Sequence, residues 1–385
     1  MSANPIFNTG LAAIPSEDLQ FGLDTFGDNT RTHFPAAPTP ATDAPFNSNA
    51  QTIRDVVAQA VLADELGIYA INVGEHHRPD FAVSAPDTVL AGIATVTKNI
   101  VLGTGVTVLS SDDPVRVFER FATLDALSNG RAEITAGRGS FIESFPLFGY
   151  SLQDYEVLFE EKLDLLVQLW REQATTWTGT TRGALKDQQV YPKTEHGAAD
   201  LSPEEAAALS LASGKTMGIR VGVGGSPESV VRAATHGIPM ALAIIGGDPA
   251  RFAPFAKLYF DYLDKQGKAK LPVSIHSPGH VAATDEEAIE QMWPYYSEMY
   301  GRLGRERGWG PMNKEHYLQE VNHGSMYVGS PETVAQKIAY AIRSVGASRF
   351  DLKYATGPMP HSLLMNSIEL YGTQVIPRVR ELLAD

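Results

Sequence analysis

One unit recurs along most of the chain: a short run of apolar and β-branched residues, a turn, then a stretch whose apolar positions have helical spacing. Gln20 to Phe26 reads as the first strand. The helical pattern after it covers Thr52 to Leu66 and stops at Gly67, a residue type favoured just past a helix end. Tyr69 to Val73 is a second strand, followed by a helix from Pro86 to Thr97. Ile100 to Leu109 is apolar at nearly every position, as expected of a strand covered on both faces. A helix over Pro114–Ser128, a strand over Arg131–Ala136 and a long helix over Leu152–Arg171 complete the first half. In the second half the pattern predicts strands at Ile219–Val223, Met240–Ile245, Pro272–Ala283 and Arg349–Tyr354. It predicts helices at Pro227–His236, Pro249–Gln266, Glu286–Leu303, Pro331–Val345 and Leu363–Leu383, with an irregular segment between the third and fourth of these. Eight strands alternating with helices indicate an α/β chain with a parallel sheet, and eight is the number that closes a (β/α)8 TIM barrel. An open, doubly wound sheet is the alternative, because a strand count does not prove closure.

Two stretches break the rhythm. Residues 27–49 form a Pro/Ala/Thr-rich loop after strand one, and residues 175–215 carry a Trp177-Thr178-Gly179 turn and an acidic, Ala-rich piece around Glu204-Glu205. Loops this long inside a compact domain are lids or disordered segments. The expectation is one barrel domain over residues 1–385, with insertions after strands one and four at the active-site mouth. Residues 175–215 then read as an active-site lid, with a mobile surface insertion as the alternative for Gly197–Ser213.

Composition narrows the classes. The chain has no cysteine, which removes thiolate nucleophiles, Fe–S clusters and cysteine zinc sites. It also fits a reducing compartment, although a core this large needs no covalent staple. The start, Met1-Ser2-Ala3-Asn4-Pro5-Ile6, lacks a basic stretch followed by an apolar one. No run of about 18 apolar residues occurs either, so a cytoplasmic protein with no membrane partner is expected. The formal net charge of −14 argues against nucleic acid, whose binders must place cations on phosphates.

Four places carry candidate chemistry. Glu75-His76-His77-Arg78 follows strand two, and the C-terminal end of a barrel strand is a functional address. A histidine beside a carboxylate serves as a general acid or base near neutral pH; a structural hydrogen-bond cluster and a metal site are the alternatives. Strand alternation weakens the metal reading, since His76 and His77 should point opposite ways. Glycines 103 and 105 interrupt strand three and mark a packing contact or a close approach of backbone to ligand. Arg138, framed by Gly137 and Gly139, can hold an anion or form a salt bridge on the barrel rim. In Gly224-Gly225-Ser226-Pro227-Glu228-Ser229, Ser226 reads as a helix cap, and the free amides of such a helix start form a phosphate site. Gly329-Ser330-Pro331-Glu332-Thr333 repeats this grammar, so at least one copy is only a cap.

Taken in order, Glu75-His76-His77, Val101–Arg116, Asn129-Gly130-Arg131 leading into Gly137-Arg138-Gly139, and Ser226–Pro239 resemble the bacterial-luciferase-like family of flavin-dependent monooxygenases. The resemblance runs from about residue 20 to 250, with a looser ending at Asp351–Arg380. It implies a β/α barrel that binds reduced FMN, or in one branch a deazaflavin coenzyme, at its C-terminal mouth. It implies that His76 is the catalytic histidine supporting a peroxyflavin; beside it Glu75 reads as an orienting or hydrogen-bonding partner and His77 as structural. Gly105-Val106 matches a non-proline cis peptide that abuts the flavin ring. Arg138, Ser226 and Ser229, with the amide of Gly225, match phosphate ligands. The implied activity is a two-component monooxygenase: a separate flavin reductase supplies reduced FMN, dioxygen is consumed, and a small organic substrate (aldehyde, ketone or alkane-like) is oxygenated. Hydride transfer with a deazaflavin, a non-catalytic flavin-binding protein and a metal-dependent hydrolase are the rivals. Family members form dimers or tetramers, so a homodimer or homotetramer is expected. Gly137 stands where luciferase has a cysteine, so light emission is not expected. The 175–215 insertion has its own sequence and leaves the substrate open.

Overall fold

The structure is a computed structural model and describes residues 15–29, 49–139, 141–194, 217–308, 310 and 312–384. Its strands are β1 (Gln20–Thr25), β2 (Ala70–Val73), β3 (Val101–Thr104), β4 (Thr107–Val108), β5 (Glu133–Gly137), β6 (Thr175–Trp177), β7 (Leu185–Gln188), β8 (Gly218–Val223), β9 (Met240–Ala243), β10 (Val273–Val281), β11 (Tyr327–Gly329) and β12 (Arg349–Lys353). The wall runs β3-β2-β1-β12-β10-β9-β8-β5-β4, parallel throughout. β3 and β4 are two halves of one wall strand. β3 pairs with β2, β4 pairs with β5, and a bridge from Leu102 to Ala132 ties β3 to the foot of β5. The sheet thus comes round on itself, and the open-sheet alternative falls.

The helices outside the wall are α1 (Asn49–Glu65), α2 (Pro86–Ala94), α3 (Pro114–Ser128), α4 (Ser144–Phe148), α5 (Tyr155–Trp170), α6 (Pro227–His236), α7 (Ala253–Lys265), α8 (Asp285–Arg307), α9 (Lys314–His323), α10 (Pro331–Val345), α11 (His361–Leu370) and α12 (Ile376–Leu383). Among the described residues, no helix is long and apolar enough to cross a membrane.

Strand β12 shows why this chain closes into a barrel. In Arg349-Phe350-Asp351-Leu352-Lys353, the apolar residues belong to the buried hydrophobic core, Arg349 and Asp351 meet charges from strands across the lumen, and Lys353 meets Asp28 beyond the end of the neighbouring β1. Arg349 donates to Glu133 at 2.9 Å and to Asp351 at 2.8 Å. Arg220 lies 2.7 Å from Glu133 and 3.3 Å from Asp351, and also donates to Ser274 at 2.9 Å. Asn72 accepts from Arg349 at 3.2 Å and from Arg220 at 3.4 Å. Two guanidiniums and two carboxylates therefore fill the lumen as a neutral set, the condition under which buried charges are tolerated. Room for them comes from glycine. A Cβ on Gly22 would stand 2.0 Å from Asp351 Oδ1, and one on Gly103 2.3 Å from Asn72 Oδ1. On the N-terminal side of the network the remaining space is about 20 Å³, enough for roughly one water.

Several expectations need correcting. The third strand is not continuous over Ile100–Leu109: it is split at the Gly105–Val106 peptide, which is cis as the resemblance implied. The segment expected to be irregular holds α9 and β11, which extends the sheet beside β10. The last helix is two, joined by a π-turn at Tyr371–Val375. The second insertion follows α5 rather than the strand-four mouth. It leaves past Trp170, whose indole donates to Met217 O at 3.0 Å, and Thr194 returns to Glu172 at 2.8 Å. A helix runs back to the N-terminal end of its strand, so a connection after it starts at the opposite end from the mouth. Its described part is the antiparallel β6–β7 hairpin, which packs along α5 and reaches Asp113 through Arg182 at 2.9 Å. Residues 30–48 of the first loop, and the piece around Glu204-Glu205, lie outside the described residues.

Burial alone would raise the Asp351 carboxyl, but Arg349 and Arg220 outweigh it and hold it below the ordinary value. A depressed carboxyl contributes stability above its unfolded-state pKa of about 3.9 and loses it as pH falls through the folded value. Asp351→Asn should therefore cost about 3–5 kcal/mol at pH 7, measured by urea unfolding, because the buried set is left with one uncompensated positive charge. The variant should also lose stability less steeply than wild type below about pH 4. A cost under about 1 kcal/mol would mean that the network does not hold the lumen together.

Candidate active site

The site lies at the C-terminal mouth, where β2, β4, β5 and β8 end. Past β2 the backbone stays tied to its neighbours: Gly74 N donates to Thr25 O at 2.8 Å, and His76 N to Val83 O at 3.0 Å. The His76 ring is buried among Phe26, Phe81 and Phe141, each ring centroid 4.6 Å away. Its Nδ1 is 3.4 Å from Glu143 Oε1, and Nε2 has no hydrogen-bond partner among the described residues. Burial acts to raise the Glu143 carboxyl, but the contact with His76, its own amide and the charge of Arg78 together hold it below the ordinary range.

Glu75 does not serve His76 as the sequence suggested. It contacts His77 Nε2 at 2.9 Å and accepts from Val108 N at 3.3 Å. The reason is alternation: residues i and i+2 share a side, so Glu75 meets His77 while His76 faces the other way. His77 packs against Phe148 at 5.1 Å, away from the His76 cage, so the two imidazoles share no ligand position. Arg78 pairs with both oxygens of Glu306 at 2.7 Å and with Asp80 at 3.1 Å, tying this loop to the end of α8.

Where the third wall strand breaks, backbone itself lines the mouth. A Cβ on Gly105 would fall 2.0 Å from Asp24 Oδ2, so a side chain there would displace the buried Asp24 carboxylate. Asp24 is buried and lies 3.2 Å from His276 Nδ1. Val106 fills the space that side chains on the adjacent strands would take: a Cβ on Gly137 would sit 2.4 Å from Val106 Cγ2, and one on Gly222 3.1 Å from its Cγ1. Thr104 and Thr107 bond each other across the break at 2.9 Å.

The third part is an anion-receptor geometry at the start of α6. Gly225 turns the chain with φ +98°, a conformation that favours glycine. Ser226 caps the helix by accepting from Ser229 N at 3.3 Å, and its hydroxyl lies 2.9 Å from Ser229 Oγ. Arg138 arrives from β5 and reaches Ser229 Oγ at 3.4 Å, with Tyr155 stacked 5.2 Å from its guanidinium. Arg232, which the sequence reading missed, reaches the same oxygen at 3.4 Å. It stands three residues after Ser229, hence on the same helix face, and that spacing could have revealed it. Glu143 carried no such signal, because it meets His76 only through the fold.

The sequence pattern of the family described as Luciferase-like monooxygenase matches residues 26–349. The chain belongs to that family. Among its relatives, the N-acetyl-S-alkylcysteine monooxygenase of Bacillus subtilis (strain 168) is 28% identical over 236 residues, covering 60% of this chain and 61% of that one. The chain spans between 37% and 61% of the length of the first relatives it matches. A monooxygenase from Streptomyces bottropensis has the same fold, with TM-score 0.74, 21% identity and coverage of 93% and 99% of the two chains. So does the FMN-bound oxygenating constituent of 3,6-diketocamphane monooxygenase from Pseudomonas putida, with TM-score 0.68, 19% identity and coverage of 94% and 98%. The fold also carries an F420-dependent secondary alcohol dehydrogenase, with TM-score 0.66, 16% identity and coverage of 94% and 99%.

Within this luciferase-like barrel the two Ser-Pro-Glu caps now separate. At the second, Asp285 accepts from Ser330 N at 2.7 Å and from Thr333 Oγ1 at 2.9 Å, so an internal carboxylate already holds the anion position. The first faces two arginines. Ser226→Ala and Ser330→Ala should each cost about 1 kcal/mol of stability through loss of a cap. Only Ser226→Ala should weaken binding of inorganic phosphate, read as a smaller thermal shift. Equal weakening in both variants would show that the α6 start is not special.

Proposed function

We propose that this luciferase-like protein is the oxygenase component of a two-component flavin-dependent monooxygenase, acting on a small organic substrate with reduced FMN delivered by a separate flavin reductase. The observation that supports this most is the convergence of Arg138 on Ser229 across 91 residues of chain, at a helix start capped by Ser226. Guanidinium, hydroxyls and the amides of a helix N-terminus are the donor set that a phosphomonoester needs. The glycine-lined backbone at Gly105–Val106 fits the approach of a flat ring.

In this reading Arg138, Ser226, Ser229 and the amide of Gly225 hold the phosphate. Val106 and the Gly105 backbone support one side of the ring system. Phe26, Phe81 and Phe141 exclude water around His76, and Glu143 orients the imidazole so that Nε2 can hold or give a proton at the reacting face. Glu75 acts at one remove by fixing β4 through Val108. When bound, reduced FMN supplies the reducing electrons and the reaction with dioxygen. The relatives' names span a thioether, a pyridinium and a terpene, so the substrate class is put no more narrowly than a small organic compound such as an aldehyde, ketone or alkane-like molecule.

Anaerobic titration should show reduced FMN binding at least about tenfold tighter than reduced riboflavin, a difference of some 1.4 kcal/mol from the phosphate. Arg138→Ala should abolish that difference. His76→Ala should keep FMN affinity within about threefold, well under 1.4 kcal/mol, yet raise the hydrogen peroxide released per reduced flavin oxidised in air. Tighter binding of a deazaflavin, with turnover in the absence of oxygen, would instead place the chain with the hydride-transfer members of the fold.

A further inference from the structure

Helix α5 presents one face to the anion receptor. Tyr155, Glu156, Phe159 and Glu160 have the i, i+1, i+4, i+5 spacing of a single helical side. Tyr155 stacks on Arg138, and Phe159 stacks on Arg232 at 5.3 Å. Glu156 bridges the two cations: one oxygen pairs with Arg138, the other lies 3.2 Å from Arg232 Nη2. Glu160 pairs with Arg232 through its Nε alone. A carboxylate shared by two guanidiniums that both reach Ser229 Oγ stands next to the place a phosphate would use.

The exposures are unequal. The Arg232 side chain is 7% exposed, whereas that of Glu156 is 61% exposed. Arg232 is fixed by packing, and the Glu156 carboxylate can swing into water at small cost. Charge points the same way. Two arginines and two glutamates make a neutral set, and an incoming phosphate, carrying about −1.5 to −2 near pH 7, is repelled by Glu156 unless that residue leaves. Arg232 does not lose all pairing when it does, since Glu160 stays on its Nε.

We propose that Glu156 is a built-in competitor for the flavin phosphate, an internal anion that occupies the two arginines and keeps FMN exchangeable. The inference rests on the reading of this site as the phosphate receptor. It assigns Glu156 a positioning and affinity-setting role, not a chemical one. A protein that must take reduced flavin from another enzyme and return the oxidised form gains from such a competitor, because it limits affinity at the phosphate without removing the selectivity of the arginines.

The test is equilibrium binding of oxidised FMN, riboflavin and inorganic phosphate to the full chain, by flavin fluorescence and by thermal shift. Glu156→Gln, which keeps the shape and removes the charge, should tighten FMN three- to tenfold, leave riboflavin within twofold, and increase the thermal shift caused by inorganic phosphate. Glu160→Gln should change FMN affinity less than twofold, since it does not bridge. Unchanged or weaker FMN binding in Glu156→Gln would overturn the proposal, and would make Glu156 a holder of the arginines. Equal tightening in Glu160→Gln would overturn it too, by reducing the effect to net charge. If wild type binds FMN no better than riboflavin, the phosphate reading itself fails, and the competitor role falls with it.

Discussion

The structure depends first on the neutral set of Arg349, Glu133, Arg220 and Asp351 in the barrel lumen. Parallel strands with apolar residues on the outside and charges inside can be covered by helices on one face only, and the inner face must then satisfy itself. Closing the sheet brings opposite charges from β5, β8 and β12 together, which an open sheet could not do. The glycines on the inner face, Gly22 and Gly103 among them, exist to admit these side chains. Because the lumen is filled below, the space available to a ligand is at the mouth.

At the mouth the same economy of side chains recurs. The third wall strand is broken at Gly105–Val106, and the gaps left by Gly137 and Gly222 are filled by Val106 rather than by their own side chains. The result is a backbone-lined surface between a buried, aromatic-caged histidine and a pair of arginines at a helix start. These two poles differ in kind. His76 sits where water is excluded and one ring nitrogen is committed to Glu143, whereas the arginines sit at the rim with exposed carboxylates as partners. One suits proton handling, the other suits capture of an anion.

Much of this was legible in the chain. The alternation of strand and helix indicated a barrel, and Glu75-His76-His77, Arg138 and Ser226–Ser229 lie at the mouth as their positions after strands suggested. What escaped was set by contacts between distant segments. The partnership of His76 with Glu143 spans 67 residues, and neighbour logic chose Glu75 instead. The lumen charges were visible as Arg-x-Asp in β12, but their meaning required knowing which strands face one another. Periodicity alone read Ile100–Leu109 as one strand, whereas the interrupting glycines and the family resemblance pointed to the cis peptide found at Gly105–Val106. The second insertion was misplaced for a plainer reason: the helix before it returns the chain to the far end of the barrel. The two Ser-Pro-Glu caps are nearly the same as sequence, and what separates them is what faces each, Asp285 in one case and two arginines in the other.

The proposed function requires a flavin phosphate at the start of α6, with the ring carried back toward His76. A crystal structure of the protein soaked or grown with FMN tests it most directly. The account predicts phosphate density within hydrogen-bond distance of Arg138, Ser226 and Ser229, ring density against the Gly105–Val106 backbone, and Glu156 turned away from Arg138. Phosphate density at the Ser330 cap or elsewhere, with the α6 start still closed by Glu156, would contradict it.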